Sequence, residues 1–211
     1  METLIKYFSK TAVIIALWHS SLVAIGQETT TIQKAFEQSY IHEYAGKLPD
    51  AISTIKAIYA ENSYEINLRL GWLHYSSGLF SESSTFYQKA VTLLPYSIEA
   101  RLGLVLPHIA LGNWDKAIAQ YKAILEIDNK NTTVNYRMGL IYYGKEEFET
   151  AYKYFETVVN IYPFDYDFVL MFAWTNFKLG KLREATILFN KANLINPNDA
   201  SVKEGLQLIN N

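Results

Sequence analysis

Residues 132–165 read TTVNYRMGLIYYGKEEFETAYKYFETVVNIYPFD, and residues 166–199 read YDFVLMFAWTNFKLGKLREATILFNKANLINPND. Laid over each other without a gap, they put Phe148 on Leu182, Ala151 on Ala185, Phe155 on Phe189, Val158 on Ala192 and Pro163 on Pro197. Apolar positions three and four residues apart trace one face of an α-helix, and a small residue on that face is where a second helix comes close. The same 34-residue step, carried backwards, aligns Ile98–Asn131 and Tyr64–Ser97. Trp114 and Phe80 then join the large apolar position, Ala117 and Ser83 the small one, Tyr121 and Tyr87 the aromatic one, Ile124 and Ala90 the last. Ahead of this helix Gly78, Gly112 and Gly180 fall at equivalent places, with Glu146 as the exception, and suit a left-handed turn that ends a preceding helix. Pro95, Pro163 and Pro197, with Asn129 in the remaining unit, mark where the second helix stops. The spacing predicts helix, tight turn, helix, several times over.

In these residues the chain resembles the tetratricopeptide repeat family. The resemblance lies in the 34-residue step and in Leu70-Gly71, Gly78-Leu79-Phe80, Phe86-Tyr87-Gln88-Lys89-Ala90 and Leu94-Pro95, echoed by Met138-Gly139, Glu147-Phe148, Ala151 and Tyr162-Pro163. A shorter unit of 32 residues precedes them, carried by Ala35, Gly46, Leu48, Ala51-Ile52, Ile55 and Ile58. The resemblance implies an all-α fold, a right-handed α-α superhelix or solenoid of five helix-turn-helix repeats at 32–63, 64–97, 98–131, 132–165 and 166–199. Residues 200–211 would cap it, with Val202, Leu206 and Ile209 on one side and Lys203, Glu204 and Gln207 outward. The chain departs from the pattern at Ser83, which replaces a packing alanine, and at Val105, which stands where Gly71, Gly139 and Ala173 are small. Pro107, inside a first helix, removes an amide and predicts a kink.

Of the 211 residues, 50% are apolar, 15% aromatic and 19% charged, a mixture rich in packing material and remote from disordered chains. A net charge of −2 supplies no cationic excess for a phosphate backbone, so nucleic acid is not an expected partner. With no cysteine, disulfides, thiolate zinc sites and cysteine nucleophiles are excluded.

Residues 1–26 are of another kind. Lys6 and Lys10 stand against Glu2, an apolar run covers Thr11 to Leu17, and His19-Ser20-Ser21 interrupts it before Leu22-Val23-Ala24-Ile25-Gly26. This is the basic region, apolar region and small-x-small end of an export signal, too short for the ~20 apolar residues of a membrane span, and cleavage is expected before Gln27. An uncleaved anchor and an apolar helix joined to the fold are the alternatives. Cleavage leaves a leader at 27–31, 17 Lys and Arg against 20 Asp and Glu, and no stable membrane insertion. The expected location is the periplasm or cell envelope of a bacterium.

No phosphate-binding glycine loop, dinucleotide fingerprint, His-Glu-x-x-His or nucleophile elbow occurs, so no enzymatic activity, cofactor or metal is expected. His42, His74 and His108 share one register position, followed by Tyr142 and Asn176. Equivalent residues of stacked hairpins lie about 10 Å apart, too far to share a metal whose ligand nitrogens are ~2 Å away. They read as packed, satisfied histidines, with a catalytic or pH-sensing role as the alternative.

The resemblance also implies that first helices line a concave face. The candidates there are Phe36, Tyr40 and Tyr44, Trp72 and Tyr75, Tyr136 and Tyr143, and Trp174 and Phe177, with Arg69 and Arg137 beside them and Glu65, Glu99, Asp167 and Lys178 at the rim. Exposed Tyr and Trp offer large rigid contact area and act as interface anchors; the alternative is that the rings fill seams between helices. Leu68, Trp72 and Gly103 stand where the family's two-carboxylate clamp needs Lys and Asn, so that mode of chaperone-tail binding is not expected. The reading is a non-enzymatic scaffold that holds a protein or peptide partner in an aromatic-lined groove. Carbohydrate or cell-wall-glycan binding and an intracellular adaptor are the alternatives.

Overall fold

The computed structural model describes residues 30–210; the expected export signal and its cleavage site lie outside them. Among the described residues all regular structure is helical. Helix α1 covers 30–44 and α2 Leu48–Lys56. Then follow α3 (Tyr64–Ser76), α4 (Phe80–Leu93), α5 (Ile98–Ala110), α6 (Trp114–Ile127), α7 (Thr132–Gly144), α8 (Phe148–Ile161), α9 (Tyr166–Lys178), α10 (Leu182–Ile195) and α11 (Ala200–Asn210). From α3 to α10 first helices of 13 residues alternate with second helices of 14. Pro107 does not shorten α5, which runs through it to Ala110. The chain divides into two compact units, one ending at Pro95 and the other beginning at Tyr96. The first contains α1–α4 and the second α5–α11.

The starts of the first helices repeat a device of their own. Ser63, Ser97, Asn131 and Asp165 are N-caps whose side-chain oxygens accept the amides of Ile66, Ala100, Val134 and Phe168 at 3.0–3.3 Å. Asp199 does the same for Val202 and Ser201 at the head of α11. Each such cap satisfies an otherwise orphaned amide and is worth about 1 kcal/mol.

The turns inside the hairpins are equally regular. In each, a residue with positive φ closes two bonds back into the first helix: Gly78 N–H to the Tyr75 carbonyl and Leu79 N–H to the His74 carbonyl, both 2.9 Å, as the pattern. Gly46, Gly112 and Gly180 take this place with φ of 71–72°, and Glu146 takes it with φ 61°. Glu146 therefore carries a Cβ where only glycine is unstrained.

In two hairpins, α3/α4 and α7/α8, an aromatic ring of the second helix lies on the bare backbone of the first. A Cβ on Gly71 would sit 2.7 Å from the Tyr87 ring, and one on Gly139 would sit 2.6 Å from Phe155. The small residues Ser83, Ala117, Ala151 and Ala185 are fully buried. Ser83 does more than fill space, since its hydroxyl donates to the Gly71 carbonyl at 2.8 Å. At Val105 the branched side chain replaces the glycine opposite Tyr121, and α5 and α6 meet less extensively than the hairpins on either side. Val202 is buried in the last core cluster with Leu206 and Ile209 packed on it, while Lys203, Glu204 and Gln207 face solvent.

Two opposite changes test this account. Gly139→Ala forces a methyl into Phe155 and is expected to destabilise by about 2 kcal/mol despite the better helix propensity of alanine. Glu146→Gly relieves the turn and is expected to stabilise by about 1 kcal/mol. Urea unfolding of the two variants reads both; equal effects of one sign would contradict the assigned geometry.

Candidate functional site

In the first unit α1 and α3 meet through charge and rings. Ser39, Tyr40 and Glu43 share one face of α1, and Arg69 and Trp72 one face of α3, by their spacing of three and four. The Arg69 guanidinium pairs with Glu43 at 2.5 Å and donates twice to the Ser39 hydroxyl, at 3.0 and 3.2 Å. Its Cζ lies 3.9 Å from the Tyr40 ring centroid. The other Glu43 oxygen accepts the Trp72 indole N–H at 2.5 Å. One carboxylate thus ties the buried arginine to the tryptophan. Tyr40 and Trp72 remain 43% and 41% exposed, and Tyr44, one turn along α1, is 87% exposed. Tyr75 continues the row, its ring 6.1 Å from Trp72 and 5.6 Å from Phe80.

Arg69 differs here from the sequence expectation. Sequence position alone sets it beside the ring-lined face; in the fold it is buried, and it donates to Glu43 and Ser39. It is a positioning residue for Trp72 and Tyr40. Glu43 and Ser39 were not anticipated, because nothing in spacing says which carboxylate an arginine on another helix will find.

In the second unit the expected rings do a different job. Tyr136 lies 6.0 Å from Phe155 and 5.0 Å from Phe168, and Tyr143 lies 5.3 Å from Phe148. Trp174 stands edge-on to Phe177 and Phe189 at 5.7 and 5.0 Å, and its indole N–H donates to Ser201 of α11 at 2.8 Å. Tyr136, Tyr143, Trp174 and Phe177 are half-buried and fill seams between helices. Burial holds the hydroxyls of Tyr136 and Tyr143 above the ordinary tyrosine range. Arg137 is exposed, unlike these rings, and among the described residues it makes no ion pair or hydrogen bond.

The histidine register belongs to the turns. The carbonyls of His42, His74, His108, Tyr142 and Asn176 each accept the amide that closes the hairpin turn, at 2.8–2.9 Å. The buried His74 donates from Nδ1 to the Leu70 carbonyl at 2.7 Å and stacks near Phe86. His108 is also buried, but its Nδ1 finds no hydrogen-bond partner among the described residues, so it is packed without being satisfied. Among the described residues no three His, Asp or Glu side chains gather as metal ligands.

Burial pushes the imidazoles of both His74 and His108 below the ordinary value. Folded, they bind protons less readily than the unfolded chain, whose histidines titrate near 6.5. Their stabilising contribution is therefore full above pH 6.5 and is lost as pH falls below it toward the depressed folded values. The urea midpoint is expected to drop between pH 7.5 and 5.5, and His74→Gln to flatten part of that slope; an unchanged slope would refute the burial of a neutral ring at His74.

Three sequence models match the chain: a tetratricopeptide repeat over residues 36–98, a TPR repeat over 108–145, and a tetratricopeptide repeat over 132–165. The human peptidyl-prolyl cis-trans isomerase FKBP4 is 28% identical over 136 residues, which cover 64% of this chain and 26% of that protein. The chain thus spans about a quarter of the length of that curated relative. Among solved structures, a tetratricopeptide repeat protein from Parabacteroides merdae matches with a TM-score of 0.72 at 20% identity, over 85% of this chain and 72% of the other. The MamA protein matches with a TM-score of 0.67 at 22% identity, over 78% and 91%.

Proposed function

Because this chain belongs to the tetratricopeptide-repeat family, whose arrays generally work as non-catalytic scaffolds for protein interaction, we propose that it binds a protein or peptide partner through its first-helix face. The observation that carries the reading is the Tyr40–Arg69–Glu43–Trp72 assembly. Two large rings stand partly exposed, yet Tyr40 is held by the buried guanidinium and Trp72 by the carboxylate paired with it, so little side-chain freedom remains to be lost on binding. Trp72 and Tyr75 are tilted by 36°, which gives no coplanar platform for a sugar ring and favours a protein surface over a glycan. The chain turns over no substrate in this reading, and its partner is not a nucleic acid.

The basic and apolar character of residues 1–26 supports export to a bacterial cell envelope, where the scaffold would begin at Gln27. Among the described residues no helix is long and apolar enough to cross a membrane.

A photo-crosslinking residue at position 72, compared with one at the exposed Ile187 on the second helix α10, tests the face. Crosslinks to one partner are expected from position 72 and not from 187. With that partner purified, Trp72→Ala is expected to weaken binding by about 2 kcal/mol with helical circular dichroism unchanged. Crosslinks from Ile187 alone would move the partner to the second helices. The N-terminal peptide of the recovered bait reads cleavage directly: Gln27 supports export, and Met1 sinks it.

A further inference from the structure

A cavity of about 610 Å³ opens in the second unit between the α5/α6 hairpin and α7. Its apolar wall comes from Ile109 of α5, Trp114, Ile118 and Tyr121 of α6, and Leu140 and Ile141 of α7. Gly144, Arg137 and Lys145 complete it.

The repeat itself explains why the space is there. One step of 34 residues onward, Ile109 becomes Tyr143, Ile118 becomes Tyr152, Leu140 becomes Trp174 and Gly144 becomes Lys178. At that next junction, between the α7/α8 hairpin and α9, Tyr143 packs on Phe148 at 5.3 Å and Tyr152 on Phe172 at 4.9 Å. Ile109 and Ile118 leave open here what the two tyrosines fill there. The volume falls in the range of ordinary ligand pockets and takes a large side chain with room to spare.

The charge around the cavity has one sign. Arg137 and Lys145 are exposed, none of the lining residues is acidic, and the Lys145 ammonium lies only over the Tyr142 ring, 5.8 Å from its centroid. Glu146 and Glu147 follow at the turn but do not line the cavity. Among the described residues no carboxylate pairs with Arg137. An exposed guanidinium beside an apolar hole suits an occupant that brings both an apolar group and a carboxylate.

We propose that this cavity is a specificity pocket for a peptide, taking one large apolar side chain while Arg137 and Lys145 hold an acidic residue one or two positions away. The proposal rests on the peptide-binding reading above and gives it a sequence preference. Gly144 provides a clean plug, because a Cβ added there meets nothing within 4 Å and its backbone is ordinary helix.

The test selects random heptapeptides on the full chain and measures the affinity of fluorescein-labelled winners for the wild type, Arg137→Gln, Gly144→Leu and Trp72→Ala. A consensus with Asp or Glu within two positions of a large apolar residue is expected. Arg137→Gln and Gly144→Leu should each weaken binding at least tenfold, with the melting temperature of Gly144→Leu unchanged or raised. A consensus without an acid, or peptides bound equally by both variants, overturns the pocket. Loss confined to Trp72→Ala overturns it too, while leaving the scaffold reading intact. A library that yields no binder overturns the peptide pocket and leaves the first-helix face to a folded-protein partner; dodecanoate bound in a Gly144-dependent way would then make the occupant an amphipathic acid.

Discussion

An aromatic ring laid on the bare backbone of a neighbouring helix sets the spacing on which the hairpins depend. Tyr87 over Gly71 and Phe155 over Gly139 leave no room for a methyl, so the two helices approach as closely as a ring is thick. Phe189 lies against Gly205 of α11, which extends the same contact to the end of the chain. Because the ring is rigid and the backbone beneath it is fixed, helix position is set closely in these pairs. Every hairpin, including those with Ile55 or Val105 at the contact, closes with the same pair of bonds around a left-handed residue.

Much of this could be read from one chain. The 34-residue step placed both helices of four hairpins, and the position shared by Gly78, Gly112 and Gly180 proved left-handed even where Glu146 occupies it. The N-caps were equally visible as Ser63, Ser97, Asn131, Asp165 and Asp199, but alignment of apolar positions passes over them because their work is done by a side-chain oxygen. The division at Pro95 was not legible, since the step runs through it unbroken.

The ring-lined face was legible as a list of residues and not as an arrangement. Spacing puts Trp72 and Trp174 at equivalent positions, yet Trp72 stays partly exposed on Glu43 while Trp174 is spent on Phe189 and Ser201. The difference comes from what faces each indole, a carboxylate of α1 in one case and the capping helix in the other. The role of Arg69 inverted for the same reason. An arginine drawn as a contact group is consumed when a carboxylate and a hydroxyl on the adjacent helix meet it first.

The central claim is that the first helices carry the partner and the second helices carry the fold. Hydrogen–deuterium exchange of the full chain, with and without a bound partner, tests it directly. Added protection should fall on the first helices α1, α3 and α7, and on α6 only where Trp114, Ile118 and Tyr121 wall the cavity, with that of α4, α8 and α10 unchanged. Protection gained on those second helices alone would contradict it.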